Sequence, residues 1–487
     1  MMKRMGKIWA VLPALALLLA LLPTAAFADA GIQAGAPALT VNATVRTIGF
    51  AGQEWYVIGY DGAGVYAGGT DSVTLLLKGS GIPNPYGDSV HRAMLENDPG
   101  DGSMTYYPPA YKYYANNPGG APWTNPSEYR GSTLQQLMET IAEALPAKER
   151  ALINARTLTS NNEIHEPMTG GDVADQKLWP LSSDEWYAIN NNTIRSFGSH
   201  FWLRSALGAL AVVGSANGSV DLADSVSNPR GVRPALNLDI SGVLFTSDAV
   251  GGKASAAAGS GFIGAEAPAG GVKLTVPNPD NQALDIIATA AQSGQSGTTL
   301  DFSYEHAATG TNQYVSAVLT DNNDHDALKY YAKLADSSGS GSGALSIPLS
   351  GVANGTYTLK IFSEQANGDN YTDFAGTPVS MTLTVNGGTG TVSEFGGTVL
   401  SDNAELVSVA GISVLPVGTG TAGSPKTAGI TVASGQASIT AADLVTSDTN
   451  AAVTLYPGGF ANAPGVSQAL NEGTNEVYIK VTAEDGT

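Results

Sequence analysis

The chain has 487 residues, with 23 Lys and Arg against 43 Asp and Glu, a formal net charge of −20, and no cysteine. So acidic a surface repels nucleic acid and anionic lipid, and both are excluded as partners. The absence of cysteine removes thiol nucleophiles, Cys-zinc sites, iron-sulfur clusters and disulfides, so stability has to come from packed cores; the length leaves room for about three domains at roughly 100–200 residues each.

The opening MMKRMGKIWAVLPALALLLALLPTAAFADA carries Lys3, Arg4 and Lys7, an apolar run from Ile8 to Leu22, then the small-residue pattern Ala26-Phe27-Ala28. This order predicts a secretory signal peptide over residues 1–28 rather than a membrane span, because the run is short and ends in a cleavage-type sequence. No later stretch is apolar for long enough to cross a bilayer, so the expectation is a secreted or cell-surface chain without membrane insertion. An exported chain lacking cysteine suits the exterior of a Gram-positive anaerobe.

Residues 31–247 read as an α+β domain. From Ser132 the spacing Leu134, Leu137, Met138, Ile141 and Leu145 predicts a helix, and Ser132 with Gln135 has the capping-box pattern. LPAKERALI follows with Pro146 suited to a first helical turn, and Ser182 with Glu185 offers a second capping box. EWYVIGYD, SVTLLLKG, FWLRSA, LAVVG, SVDLA and GVRPALNLD read as strands, and Asn217-Gly218 predicts a tight hairpin turn between the fourth and fifth of them.

Composition changes near residue 240. All nine Arg and all five Trp beyond the signal precede it, and seven Lys and no Arg follow. Residues 248–272 contain 15 Gly and Ala among 25 positions and read as a flexible linker, the alternative being one short strand around Phe262-Ile263. Two β-sandwiches of about seven short strands are expected next, over 273–386 and 398–487, divided by NGGTGTVSEFGGT. In NEVYIKVTAEDGT, Val477, Ile479 and Val481 share one face.

The motif order SVHRAML, LPAKERALI, KLWPLSSDEWYAI, FWLRSA and GVRPALNLDISGVLFTS resembles an uncharacterised domain of surface proteins from gut Firmicutes. The pairing of FWLRS with a terminal GVRPAL looks like the C-type-lectin-like fold. That resemblance implies a multidomain chain: a C-type-lectin-like α+β head with a loop-built binding face, then an Ig-like sandwich and a cadherin-like one. The cadherin-like signature LNEGTNEVYIKVTAEDGT normally continues into another strand, so the last sandwich is expected to be incomplete. The resemblance does not imply catalysis, because oxidase relatives need active-site cysteines, and no Glu-Pro-Asn sugar-calcium motif is present: Glu166-Pro167 continues with Met168.

Candidate residues follow from chemistry. Tyr106, Tyr107, Tyr111, Tyr113 and Trp123 are concentrated among Pro, Gly and Asn in YYPPAYKYYANNPGGAPWTNPSEYR, where flat rings either stack on a ligand or plug their own core. DSVSNPR supplies Asp224, Ser225, Asn228 and Arg230 in a polar loop, which such relatives use for ligand contact. Trp202, Arg204, Gly231, Arg233 and Pro234 have a structural reading. Both arginines are expected on strands of one terminal sheet, locking loops through carbonyls or a carboxylate, with ligand contact as the alternative.

The five histidines lack metal-type spacing. His165 beside Glu163 and Glu166 is either a base or part of a solvated loop, and DNNDHD, with Asp324 and Asp326, is either a calcium site or a hairpin turn. No catalytic residue, metal or cofactor is assigned. The expected function is an adhesin-like binding protein for a glycan or a host or bacterial surface protein. The alternatives are a structural surface or filament component and, least supported, an extracellular hydrolase.

Overall fold

The computed structural model describes residues 32–34, 39–66, 69–79, 90–91, 129, 133–159, 172–207, 210–224, 229–281, 283–322, 327–401, 403–414, 416 and 426–486. Strand makes up 44% and helix 11%, so the architecture is β-rich and is built from several sheets rather than a helical core. Two compact units result. The first comprises Met1–Ala283, Ala308–Ser340 and Lys360–Pro378, and the second Leu284–Ala307, Gly341–Leu359 and Val379–Thr487.

In the first unit, apolar runs form a sheet buried on both faces. Thr47–Phe50 pairs antiparallel with Gln53–Tyr60, which pairs with Ser72–Leu77; Pro234–Asp239 lies between Ser72–Leu77 and Leu178–Pro180. The register sets Ala235 opposite both Leu76 and Trp179, and Ala235, Leu236 and Leu238 are fully buried. Helix Thr133–Ala144 places Leu134, Leu137, Met138 and Ile141 in the same core, as their 3–4 residue spacing requires. Ser132 lies outside the described residues. A separate three-stranded sheet joins Phe201–Leu207, Leu210–Gly214 and Val220–Asp224. In its hairpin turn Gly218 has φ 88°, while Asn217 contributes its side chain: Oδ1 accepts from Ser219 N at 3.1 Å and Ser219 Oγ at 2.7 Å.

Residues 248–272 carry the short strand, Ile263–Gly264, that the sequence offers as the alternative to a flexible linker. Phe245–Asp248 pairs antiparallel with Val272–Pro277, Ile263–Gly264 pairs with the Ala327–Asp336 strand, and Phe262 is buried. Glycine and alanine have few side-chain atoms to bury, but their backbone amides pair like any others, and composition does not register that. The expected 273–386 sandwich is likewise shared between the two units. Within the first, Gln313–Asp321 and Ala327–Asp336 form a long antiparallel pair.

In the second unit, Gly343–Pro348, Thr299–Glu305, Asp285–Thr289 and Thr398–Leu400 form a four-stranded sheet. NGGTG was expected to divide two domains. Instead Gly387 (φ 59°) and Gly388 (φ 78°) make the two-residue turn of a hairpin between Val379–Asn386 and Thr389–Ser393. Both turn positions need positive φ, which glycine adopts without strain. Thr398–Leu400 then pairs parallel with Asp285–Thr289, so it belongs to that sheet and does not open a new domain.

Beyond residue 400 the strands are short, and the buried core is Val409, Val414, Ile439, Leu444 and Leu455. Val477 and Ile479 pack against it, with Ile479–Thr482 paired to Ala452–Leu455. So small a core offers little resistance to local opening. Limited proteolysis is therefore expected to cut first between residues 400 and 487, with mass spectrometry of the early fragments as the check. First cuts within residues 47–79 or 172–207 would show the opposite order of stability.

Candidate functional site

The two arginines of the FWLRS and GVRPAL motifs do not share a sheet: Arg204 lies within a strand, and Arg233 lies just ahead of one. Arg204 belongs to the three-stranded sheet, whereas Arg233 immediately precedes the Pro234–Asp239 strand of the large one. Each solves the problem of a buried charge differently. Arg204, 4% exposed, forms an ion pair with Glu185 and donates to Pro180 O at 3.3 Å. Arg156 reaches the other oxygen of Glu185, with Nη2 2.7 Å from Oε1, and stacks 3.8 Å from the Tyr66 ring centroid.

Glu185 holds this centre through local structure the sequence already specified. Ser182 Oγ accepts from Glu185 N at 3.1 Å, and Glu185 Oε2 accepts from Ser182 N at 3.0 Å, which closes a capping box at helix Ser183–Ala188. Burial pushes the Glu185 carboxyl up, but Arg204, Arg156 and the Ser182 amide outweigh it and bring the carboxyl down to about 2.

Arg233 is 1% exposed. Its Nε donates to Leu77 O at 2.8 Å and Nη1 to Arg195 O at 3.4 Å, while its guanidinium carbon lies 4.8 Å from the Phe197 ring centroid, 5.6 Å from Trp186 and 5.7 Å from Phe201. The two motifs meet at Gly231: Trp202 N donates to Gly231 O at 3.0 Å and Gly231 N donates to His200 O at 2.9 Å. A Cβ at Gly231 would come within 3.2 Å of His200 O, so a side chain would crowd that contact. Trp202 is fully buried, and Pro234 faces Pro180 where the pairing with Leu178–Pro180 ends. All five thus lie in or beside the paired strands.

Of the ligand candidates, Tyr106, Tyr107, Tyr111, Tyr113, Trp123, Ser225 and Asn228 lie outside the described residues, as do His165, Asp324 and Asp326. Asp224 ends the Val220–Asp224 strand, and half-buried Arg230 lies in the two-residue strand Pro229–Arg230. That strand pairs antiparallel with Val90–His91, setting Pro229 opposite His91 and Arg230 opposite Val90. Pro229–Arg230 thus lies beside the last described residues that precede the aromatic segment in the sequence. Tyr129 at the far end of that segment is core: it is fully buried, with its hydroxyl 3.1 Å from Gln176 Oε1.

Sequence reasoning passed over the buried acids and amines. Glu149 is 2% exposed and its Oε1 accepts from Ala51 N and from Thr372 N, each at 2.8 Å. Burial raises its carboxyl above the ordinary value. Glu149→Gln keeps the acceptor oxygen and removes the desolvated charge. It is therefore expected to leave stability at neutral pH within about 1 kcal/mol, whereas Glu149→Ala, which strands two amides, costs roughly 2 kcal/mol. Thermal melts of both variants check this. Lys253, Lys273, Glu364 and Asp373 are also buried together, and a charged residue on the inward face of a strand, as in Val272-Lys273-Leu274, was the signal available in the sequence.

Among the described residues no three His, Asp or Glu side chains form a metal-type group. No helix among them is long and apolar enough to cross a membrane. Residues 111–240 match a family described as a domain of unknown function (DUF6273), a span that includes FWLRS, GVRPAL and most of the aromatic segment. No curated protein and no solved structure matches the chain.

Proposed function

We propose that the chain is an exported, cell-surface binding protein, adhesin-like, with a C-type-lectin-like head over residues 31–247 that recognises a glycan or a host or bacterial surface protein. Ig-like and cadherin-like β-sandwich segments after it act as spacers. The observation that supports this reading is the ladder between Val90–His91 and Pro229–Arg230, which brings together the described residues that precede the aromatic segment and follow the polar DSVSN stretch in the sequence. The Arg230 side of that ladder is anchored by Gly231 and Arg233. Loops on a rigid frame, rich in flat amphipathic rings, lose little freedom when they bind.

The test is a glycan array and a surface-protein pull-down with the mature chain and its Tyr111→Ala and Trp123→Ala variants. Binding should fall by roughly tenfold or more while melting stays near that of the parent, a loss equal to about 1.4 kcal/mol. If the rings were core, each variant would instead lose roughly 1–3 kcal/mol of stability. A structural surface or filament role is the second reading. It is favoured by the short strand Ile263–Gly264, which pairs the Gly- and Ala-rich stretch with the Ala327–Asp336 strand, because a joint held by backbone pairing suits a spacer. It would be upheld by an unliganded head in a chain that still assembles.

A further inference from the structure

Beside the Phe245–Asp248 strand four charged side chains are buried and in contact, Lys253, Lys273, Glu364 and Asp373, with Lys253 Nζ 4.6 Å from the Phe245 ring centroid and 5.6 Å from that of Tyr331. Lys253 is 2% exposed, and Glu364 and Asp373 are not exposed at all. Lys253 Nζ lies 2.6 Å from Glu364 Oε1 and 2.6 Å from Asp373 Oδ2, and donates to Thr275 Oγ1 at 2.8 Å. Glu364 Oε2 accepts from Tyr331 OH at 2.7 Å.

The two oxygens of Asp373 are treated differently. Oδ1 accepts from Asn367 N at 2.6 Å and from Lys273 Nζ at 3.1 Å. Oδ2 lies 2.6 Å from Lys253 Nζ but outside hydrogen-bonding geometry, and among the described residues it accepts no hydrogen bond. One amine thus sits between two dry carboxyls: the first is hydrogen-bonded to it, and the second faces donors on one oxygen only.

We propose that Lys253 and Asp373 condense into an intramolecular amide bond, with Glu364 carrying the protons. Glu364 takes one proton from Nζ and passes it to Asp373 Oδ2, which leaves a free amine beside a neutral carboxyl. The amine lone pair attacks Asp373 Cγ. Charge gathers on Oδ1, where the Asn367 amide and the Lys273 ammonium already point, as donors do in an oxyanion hole. Glu364 then moves a second proton from the nitrogen to the Oδ2 hydroxyl, the Cγ–Oδ2 bond breaks, and water departs. An ammonium and a carboxylate have become an amide and one water, and Glu364 ends ionised as it began.

Exclusion of solvent favours this course, since a dry site destabilises separated charges and keeps water from competing for the carbonyl. Burial pulls the Lys253 ammonium down, yet Asp373 and Glu364 outweigh it and hold it above its ordinary value. The ion pair is therefore the resting form before reaction, and condensation is a slow step that follows folding.

The test is intact mass spectrometry of the full chain, purified and kept folded, followed by peptide mapping. The wild type should weigh one water less than its sequence, and digestion should release a branched peptide joining Lys253 to Asp373. Lys253→Arg and Glu364→Gln should keep their full mass. A wild type still at full mass after days in the folded state overturns the proposal. So does a lost water that maps to Lys273 or to any other pair. The wild-type result decides by itself, so it does not depend on whether a variant folds.

Discussion

Replacing Arg233 with alanine is expected to cost on the order of 3 kcal/mol, and replacing Arg230 with alanine less than about 1 kcal/mol. Arg233 is enclosed by Trp186, Phe197 and Phe201 and satisfies Leu77 O, so truncation opens a cavity and leaves a buried carbonyl without its donor. Burial pulls the Arg233 guanidinium down to about 9, so it still carries its charge at neutral pH. Arg230 is only half-buried and lies in a strand of two residues. Chemical denaturation of both variants checks the difference. Equal midpoints would mean that the aromatic box closes around the gap without loss.

A second large effect is expected at Glu185. Glu185→Ala leaves the guanidiniums of Arg204 and Arg156 buried without their shared carboxylate, at a cost of roughly 4 kcal/mol. The pH dependence has a definite sign. The folded carboxyl titrates near 2 against an ordinary value of 4.5, so the unfolded chain binds its proton first as pH falls. The stabilisation, about 3 kcal/mol, is complete above the unfolded value and disappears as pH drops from about 5 toward 2.

The melting gap between wild type and Glu185→Gln should therefore be wide at neutral pH and narrow at about pH 3. A gap of constant width would show that the substituted amide replaces the ion pairs by neutral hydrogen bonds. Glu149 works in the opposite sense, because its folded carboxyl is raised. Its protonation favours the fold as pH falls, and its charge costs stability once pH exceeds its raised value.

Local signals were legible wherever the chemistry is completed within a few residues. The spacing of Leu134, Leu137, Met138 and Ile141 specified a helical face, Ser182 with Glu185 specified a cap, and the Asn217-Gly218 hairpin formed between strands close to those expected. The inward apolar positions of GVRPALNLD were equally clear. Arg233 was recognisable as a charge that needs partners, because it interrupts a buried run.

The identity of those partners was not legible. Leu77 and Arg195 offer backbone carbonyls, which every residue carries, so no residue type in the sequence marks them. Glu185 looked complete as a capping residue, and only the approach of the Arg156 and Arg204 side chains made it an ion-pair centre. In the stretch 248–272 composition counts side chains and favours a linker, whereas the short strand Ile263–Gly264 comes from backbone pairing with Tyr330 and Tyr331 far along the chain.

Sequence by itself determined the acidic surface, the lack of thiol chemistry, the helical faces, the caps and the inward strand positions, since each depends on residue type and short-range spacing. Tertiary structure alone decided that Arg204 lies within the three-stranded sheet while Arg233 lies just ahead of a strand of the large one, that Ile263–Gly264 pairs with the distant Ala327–Asp336 strand, and that Lys253 meets Glu364 and Asp373. Those three residues are separated by more than a hundred positions from first to last. Their meeting depends on strand order and register, which no local pattern encodes, because any amide can pair with any carbonyl until the rest of the sheet is in place.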